Sequence, residues 1–176
     1  MKITHTPLSD CFILEPTIFT DNRGFFFESY NKRTFHALSG LEVDFVQDNQ
    51  ALSHYGTVRG LHFQEGEYAQ AKLVRVLQGK VIDVAVDLRN GSPTYMQHVA
   101  VELSAENNRQ LFVPRGFAHG YSVLENNTVF HYKCDNYYHK AAEGGLHVLH
   151  QTLKINWQLP EADMLISEKD QVLPGL

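Results

Sequence analysis

A chain of 176 residues with 43% hydrophobic and 20% charged residues has the make-up of one soluble globular domain, residues 1–176, with a sizeable core. A net charge of −5 with no basic run argues against nucleic acid as a partner. The longest apolar runs are too short to span a bilayer, and Met1-Lys-Ile-Thr-His-Thr-Pro-Leu8 holds no signal-peptide core. Cys11 and Cys134 lie far apart and neither belongs to a CxxC, so both read as reduced thiols of a cytoplasmic protein.

Taken in order, Cys11-Phe-Ile-Leu-Glu15 reads as a first strand that Pro16 ends. Asp21-Asn-Arg-Gly24 is turn chemistry leading into a strand from Phe25 to Tyr30. Asn31 caps a short helix over Lys32 to Leu38, and Gly40 closes it. Strands follow over Val43 to Asn49 and Thr57 to Gln64, then over Lys72 to Leu77 and Lys80 to Leu88 around the turn Gln78-Gly79. In the last of these, Ile82, Val84, Val86 and Leu88 share the apolar face. Met96 to Leu103, Gln110 to Val113, Ala118 to Leu124 and Thr128 to Cys134 complete a set of short strands, and Leu146 to Thr152 is strand-like in a less regular tail. Many short strands at roughly ten-residue spacing, punctuated by Gly, Pro and Asn, predict an all-β fold. A jelly-roll barrel with few short helices suits it better than an immunoglobulin-type sandwich, because the ionisable residues sit on strands and would converge inside a barrel.

The stretch Thr57-Val-Arg-Gly-Leu-His-Phe-Gln64 carries a cation, a glycine, a histidine and an amide on one strand. Strict alternation puts Val58, Gly60, His62 and Gln64 on one face, and Thr57, Arg59, Leu61 and Phe63 on the other. Glycine beside His62 leaves room for a ligand. Lys72, the run Pro114 to Tyr121 and the run Phe130 to Cys134 are expected to wall the same pocket.

Ten histidines call for a test of metal binding. Small β-barrels often hold a metal through His-x-His, a later Glu and a His after Pro-x-Gly. Pro114-Arg-Gly116-Phe-Ala-His119 fits the second part, but Gln64 stands where the second histidine should be, so no metal is expected. GxSxG, GxGxxG and Walker sequences are absent. General acid–base chemistry fits better. His62 can take a proton near neutral pH, Tyr132 can give one, Lys72 can hold an oxyanion, and Asp170 can orient His62. Each also has a plain alternative: His62 as a hydrogen-bonded core histidine, Tyr132 as a core tyrosine, Lys72 as a solvated lysine, and Asp170 as a surface carboxylate.

Several ordered blocks resemble those of the dTDP-4-dehydrorhamnose 3,5-epimerases. They are Asp21-Asn-Arg23-Gly24-Phe-Phe-Phe-Glu28, Phe45-Val-Gln47-Asp48-Asn49, Val58-Arg59-Gly60-Leu61-His62-Phe-Gln64, Ala69-Gln-Ala-Lys72-Leu-Val-Arg75, Asp83-Val-Ala-Val-Asp87-Leu-Arg-Asn-Gly-Ser92-Pro93-Thr94, Pro114 to Gly120, Tyr132 to Tyr138 and Ser167 to Asp170. The resemblance covers nearly the whole chain. It implies a cupin-like jelly roll without metal or cofactor, a homodimer, and a dTDP-linked 4-keto-6-deoxy sugar as substrate. By resemblance His62 is the base, Asp170 its partner, Lys72 the enolate stabiliser and Tyr132 the acid. Arg23 and Arg59 match diphosphate-holding positions, where a guanidinium fork suits the geometry. Phe26, Glu28, Gln47, Asp48 and Asn49 match the nucleotide end. Tyr138 matches a thymine-stacking aromatic, and His119, Glu143 and Lys169 match further substrate contacts. One segment departs: Val148, Leu149 and His150 replace the usual Trp-Asn-Asp, which bears on the loop near the sugar. Arg59 and His62, on opposite faces by alternation, could serve one substrate if Gly60 breaks the pleat, if Arg59 reaches round the strand, or if Arg59 serves the neighbouring subunit's site.

Overall fold

The computed structural model describes residues 1–175. Strands β1 (Lys2–His5), β2 (Phe12–Glu15), β3 (Phe19–Asp21) and β4 (Gly24–Phe26) precede helix α1 (Lys32–Ser39). Then come β5 (Gln47–Ser53), β6 (Thr57–Gln64), β7 (Lys72–Gln78), β8 (Lys80–Asp87), β9 (His98–Ser104), β10 (Gln110–Val113), β11 (Phe117–Val123) and β12 (Thr128–Cys134). The C-terminal part adds β13 (Glu143–Gly145), β14 (Leu165–Ile166) and a one-turn helix, α2 (Glu168–Gln171).

Two sheets form a jelly-roll barrel. The first has the order β1-β2-β10-β7-β12-β5, and the second β13-β6-β11-β8-β9, with β14 added parallel to β6. Period-two alternation fills the space between them: Val74, Val76, Leu111, Val113 and Phe130 from the first sheet meet Val81, Ala85, Val101, Leu103 and Val123 from the second. The other face of the second sheet carries Ile82, Val84, Val86 and Ala118, and the chain after β13 covers it with Leu146, Val148, Leu153 and Trp157. Strand β8 is therefore buried on both faces, and any charge it carries must find a partner inside. A third cluster forms where α1 lays Phe35 on Phe12, Leu14 and Phe112. Asn31 caps that helix by accepting from the Thr34 amide, and Gly40 ends it at φ 69°.

The run Leu146 to Thr152 is not a strand. Leu146 exchanges two backbone hydrogen bonds with Leu61, and then the chain turns. The Nδ1 atoms of His147 and His150 accept from the amides two residues on, which favours turns over a ladder. Beyond β4 the expected strand to Tyr30 also stops early, leaving β3 and β4 as a separate two-stranded hairpin. Among the described residues no helix is long and apolar enough to cross a membrane.

The irregularity that shapes the barrel lies in β6. His119 pairs with His62, but Tyr121 pairs with Arg59, so Gly60 and Leu61 together face Gly120. This is a β-bulge, and it reverses the alternation. Thr57, Arg59 and His62 line the barrel cavity while Val58 and Leu61 enter the core on the other face. The regular pleat expected from the sequence is therefore corrected here: Arg59 and His62 share a face.

Gly60 sits at φ 116°, and a Cβ on it would lie 2.6 Å from the Gly120 Cα and 2.7 Å from the His119 carbonyl oxygen. Gly60→Ala should cost at least about 2 kcal/mol of unfolding free energy in urea, since both strain and backbone overlap oppose it. Gly91→Ala, also at positive φ but with open space around it, should cost clearly less. Equal losses would remove the close strand approach from the account.

Candidate active site

The cavity between the sheets holds about 560 Å³ and is lined by Arg59, His62, Lys72, His119, Tyr121 and Tyr132, together with Leu165 to Asp170 from the C-terminal segment. A smaller lobe of about 160 Å³ adjoins it through His62, Lys72 and Tyr132, and continues to Gln47, Asn49, Tyr138 and Glu143. Lys72 and Tyr132 come from the first sheet, whereas His62 and His119 come from the second. The cavity thus has a phenol and an ammonium on one wall and two imidazoles on the other.

His62 is held from behind. Its Nε2 lies 2.7 Å from Asp170 Oδ1, and the amide of Gly60 donates to Asp170 Oδ2 at 3.3 Å. Asp170 is only 3% exposed. It is brought there because β14 pairs with β6 and because Ser167 caps α2 by accepting from the Asp170 amide. The carboxylate therefore belongs to the site and not to the surface.

The Lys72 ammonium has no hydrogen bond or ion pair among the described residues, and its Nζ lies 5.9 Å from the centre of the Tyr132 ring. Burial pulls its pKa below the ordinary lysine value, while the charges of Asp83 and Glu143 oppose that pull. Such a group gains most when negative charge appears beside it. Burial pushes the Tyr132 phenol above its ordinary range, and Arg59 partly offsets this, so Tyr132 keeps its proton at neutral pH.

Arg59 is set by residues that sequence reasoning missed. Its Nε donates to Ser53 Oγ at 3.2 Å, and the same hydroxyl bonds Tyr121, whose phenol burial pushes up to about 12. Ser53 ends an ordinary strand, so its role had no local signal. Asp83 was also missed. It is fully buried on β8, and both its oxygens lie within 3.0 Å of His119 Nε2. A carboxylate inside the apolar run Val81 to Val86 was the available clue.

At the other lobe, Gln47 Nε2 donates to Asn49 Oδ1, and Gln47 Oε1 accepts from the Tyr138 amide. Glu143 accepts from the Tyr138 hydroxyl and from Lys169. Gln64, at the would-be metal-ligand position, uses its Oε1 to accept from the His139 amide at 2.8 Å and so ties down the loop before β13. Among the described residues no group of three or more His, Cys, Asp or Glu could hold a metal ion. Burial raises the two thiols, Cys11 to about 12 and Cys134 to about 11, which leaves neither as a nucleophile.

Four of the expected site residues stand apart from this cavity. Asp48 points to the outer face of the first sheet, opposite to Gln47 and Asn49, and pairs with Lys133 at 3.0 Å. Arg23 and Phe26 sit on the β3–β4 hairpin, where Arg23 pairs with Asp21. Glu28 accepts from Asn31. The departing segment also lies elsewhere: Val148 packs in the core behind the second sheet, where its carbonyl accepts from Trp157 Nε1, and Leu149 and His150 line a separate surface hollow.

The sequence model of one family, dTDP-4-dehydrorhamnose 3,5-epimerase, matches residues 5–176. The chain belongs to this family. It is 51% identical to the dTDP-4-dehydrorhamnose 3,5-epimerase of Salmonella typhimurium, over 100% of this chain and 96% of that protein. The crystal structure of the Elizabethkingia anophelis dTDP-4-dehydrorhamnose 3,5-epimerase superposes with a TM-score of 0.96 at 55% identity, covering 99% of this chain and 96% of the other. That of dTDP-6-deoxy-D-glucose-3,5-epimerase from Legionella pneumophila, solved in complex with dTDP-4-keto-L-rhamnose, gives 0.94 at 46% identity, covering 98% and 90%. The fold is accordingly the cupin-like jelly roll of these epimerases.

One electrostatic consequence can be checked directly. Burial raises the Glu143 carboxyl, but the hydrogen bonds from Lys169 and Tyr138 outweigh it, and the net pKa is lowered. A lowered carboxyl stabilises the fold above its unfolded pKa of about 4.3, and that contribution fades as pH falls through the folded value. Lys169→Met should move the Glu143 titration upward in carboxyl-detected NMR; an unmoved titration would discount the ion pair.

Proposed function

We propose that the protein is an isomerase that converts dTDP-4-dehydro-6-deoxy-D-glucose to dTDP-4-dehydro-L-rhamnose, inverting C3 and C5, in dTDP-rhamnose biosynthesis. The observation that carries this reading is the arrangement across the cavity. An imidazole backed by a buried carboxylate on one wall faces a protonated phenol and an unpaired ammonium on the other.

The chemistry follows from the substrate. A C4 ketone acidifies the hydrogens on C3 and C5. His62 takes one of them, and Asp170 stabilises the imidazolium that results. Negative charge moves to the C4 oxygen, where Lys72 meets it; the charge offsets the desolvation that weakens the ammonium. Tyr132 returns a proton from the opposite face, so the carbon inverts. Arg59, steadied by Ser53, suits the diphosphate, and the lobe toward Gln47, Asn49 and Tyr138 suits the nucleotide. Asp48, paired with Lys133 outside, is given no substrate role.

The β3–β4 hairpin supports a homodimer with shared sites. Phe19, Phe25 and Phe26 are each more than 60% exposed on a two-stranded element that is marginal alone. We assign Arg23, Phe26 and Glu28 to the neighbouring subunit's nucleotide end. Mixing Phe26→Ala with His62→Asn protein should regenerate activity in hybrid dimers; no recovery after proven subunit exchange would sink the shared site.

In deuterated water the wild type should incorporate label at both C3 and C5. Label at a single carbon would instead indicate a mono-epimerase, and none would overturn the activity. His62→Asn should lose both inversion and exchange, by about a hundred-fold to ten-thousand-fold. Tyr132→Phe should still exchange hydrogen through His62 while failing to invert. Asp170→Asn should keep partial activity. Normal inversion by Tyr132→Phe would contradict the assignment of acid and base to opposite walls.

A further inference from the structure

His62 has a neighbour of its own kind. His119 is its direct cross-strand partner beside the β6 bulge, and both line the cavity. Each imidazole is bound at Nε2 by a buried carboxylate, Asp170 for His62 and Asp83 for His119. The two carboxylates differ in their other contacts. Asp170 also accepts from the Gly60 amide, whereas Asp83 has no other hydrogen-bond partner than His119 Nε2 among the described residues. Asp83 is fully buried within the apolar part of β8, so removing the imidazole donor would leave it an unpaired buried charge.

We propose that Asp83 is a positioning residue which fixes His119 as its Nε2–H tautomer, so that His119 offers Nδ1 as an acceptor to a ring hydroxyl of the sugar. A carboxylate can only accept, so the neutral ring must carry its proton on Nε2. Nδ1 then bears the lone pair, and it has no partner in the protein among the described residues. Phe130, with its ring centre 6.2 Å from that of His119, packs against the imidazole and limits its rotation. A fixed acceptor in a half-closed cavity welcomes a hydroxyl and penalises its absence, because the lone pair is then left unpaired. Asp83 thereby makes the site selective for a sugar that keeps its hydroxyls at C2 and C3 over a deoxy counterpart. This inference rests on the proposed reading of the cavity as the site for a dTDP-linked 4-keto sugar.

Two measurements test it. The first uses the unliganded protein with ¹⁵N-labelled histidine, His119 being assigned by its loss in His119→Gln. The ring should show a protonated Nε2 and an unprotonated Nδ1, and the opposite tautomer would overturn the proposal whether or not the activity is right. The second compares wild type and Asp83→Asn on dTDP-4-keto-6-deoxyglucose and on its 2-deoxy and 3-deoxy counterparts, following hydrogen exchange at C5. Wild type should prefer the full sugar over at least one deoxy form by about ten- to a hundred-fold in kcat/KM. Asp83→Asn, whose amide can donate to Nε2 and so reverse the tautomer, should lose most of that preference, chiefly through a higher KM. His119→Gln, which leaves β8 untouched, should lose it as well if Asp83→Asn proves too unstable to assay. Retention of the preference by whichever variant is folded would overturn the proposal. A wild type that binds and exchanges none of the three sugars would overturn the proposed function, and the tautomer measurement would stand apart from that failure.

Discussion

The close approach of two glycines, Gly60 on β6 and Gly120 on β11, is the constraint on which the site depends. With no Cβ on either, the strands meet backbone to backbone, and β6 can accommodate an extra residue there. That single insertion turns the strand over. Above it, odd-numbered residues face the cavity, and below it, even-numbered ones do. Arg59 and His62 consequently look into one space, and Gly60 turns its amide toward Asp170. A guanidinium and an imidazole are thus set on one face of one strand, three residues apart, by backbone geometry.

Around that strand the barrel solves a polar-burial problem. A cavity able to move protons needs ionisable groups inside, and each must be held without losing its function. The fold uses different solutions for different groups. His62 and His119 are each backed by a carboxylate, Arg59 rests on a hydroxyl, and the Lys72 ammonium stands without a side-chain partner among the described residues. On the wall that carries Lys72, burial keeps the Tyr132 phenol protonated.

Much of this was legible in the residues. The ends of β6, β10 and β12 followed from alternation and turn residues, and α1 from its Asn31 and Gly40 caps. The convergence of Lys72, His119 and Tyr132 on His62 followed from inward-facing polar residues on strands. What remained hidden depends on contacts distant in sequence. The bulge at Gly60 arises from the opposite strand's Gly120, so a single-strand pattern put Arg59 on the wrong face. Asp170 reads as part of a charged tail, and it lies 108 residues from His62 in sequence; pairing of β14 with β6 brings it to the imidazole. Leu146 to Thr152 has strand-like composition, but its histidines bond their own backbone, and Val148 fills the outer core. Val148, Leu149 and His150 accordingly lie behind the second sheet and at a separate hollow, away from the walls that carry His62, Lys72 and Tyr132.

The most direct test of a single-faced site is a crystal structure of the protein with a dTDP-linked 6-deoxy sugar bound. The account predicts the diphosphate on Arg59, C4 of the sugar at Lys72 Nζ, and C3 and C5 between the His62 imidazole and the Tyr132 hydroxyl. A diphosphate held away from Arg59, or a sugar ring with His62 and Tyr132 on the same side of it, would contradict the account.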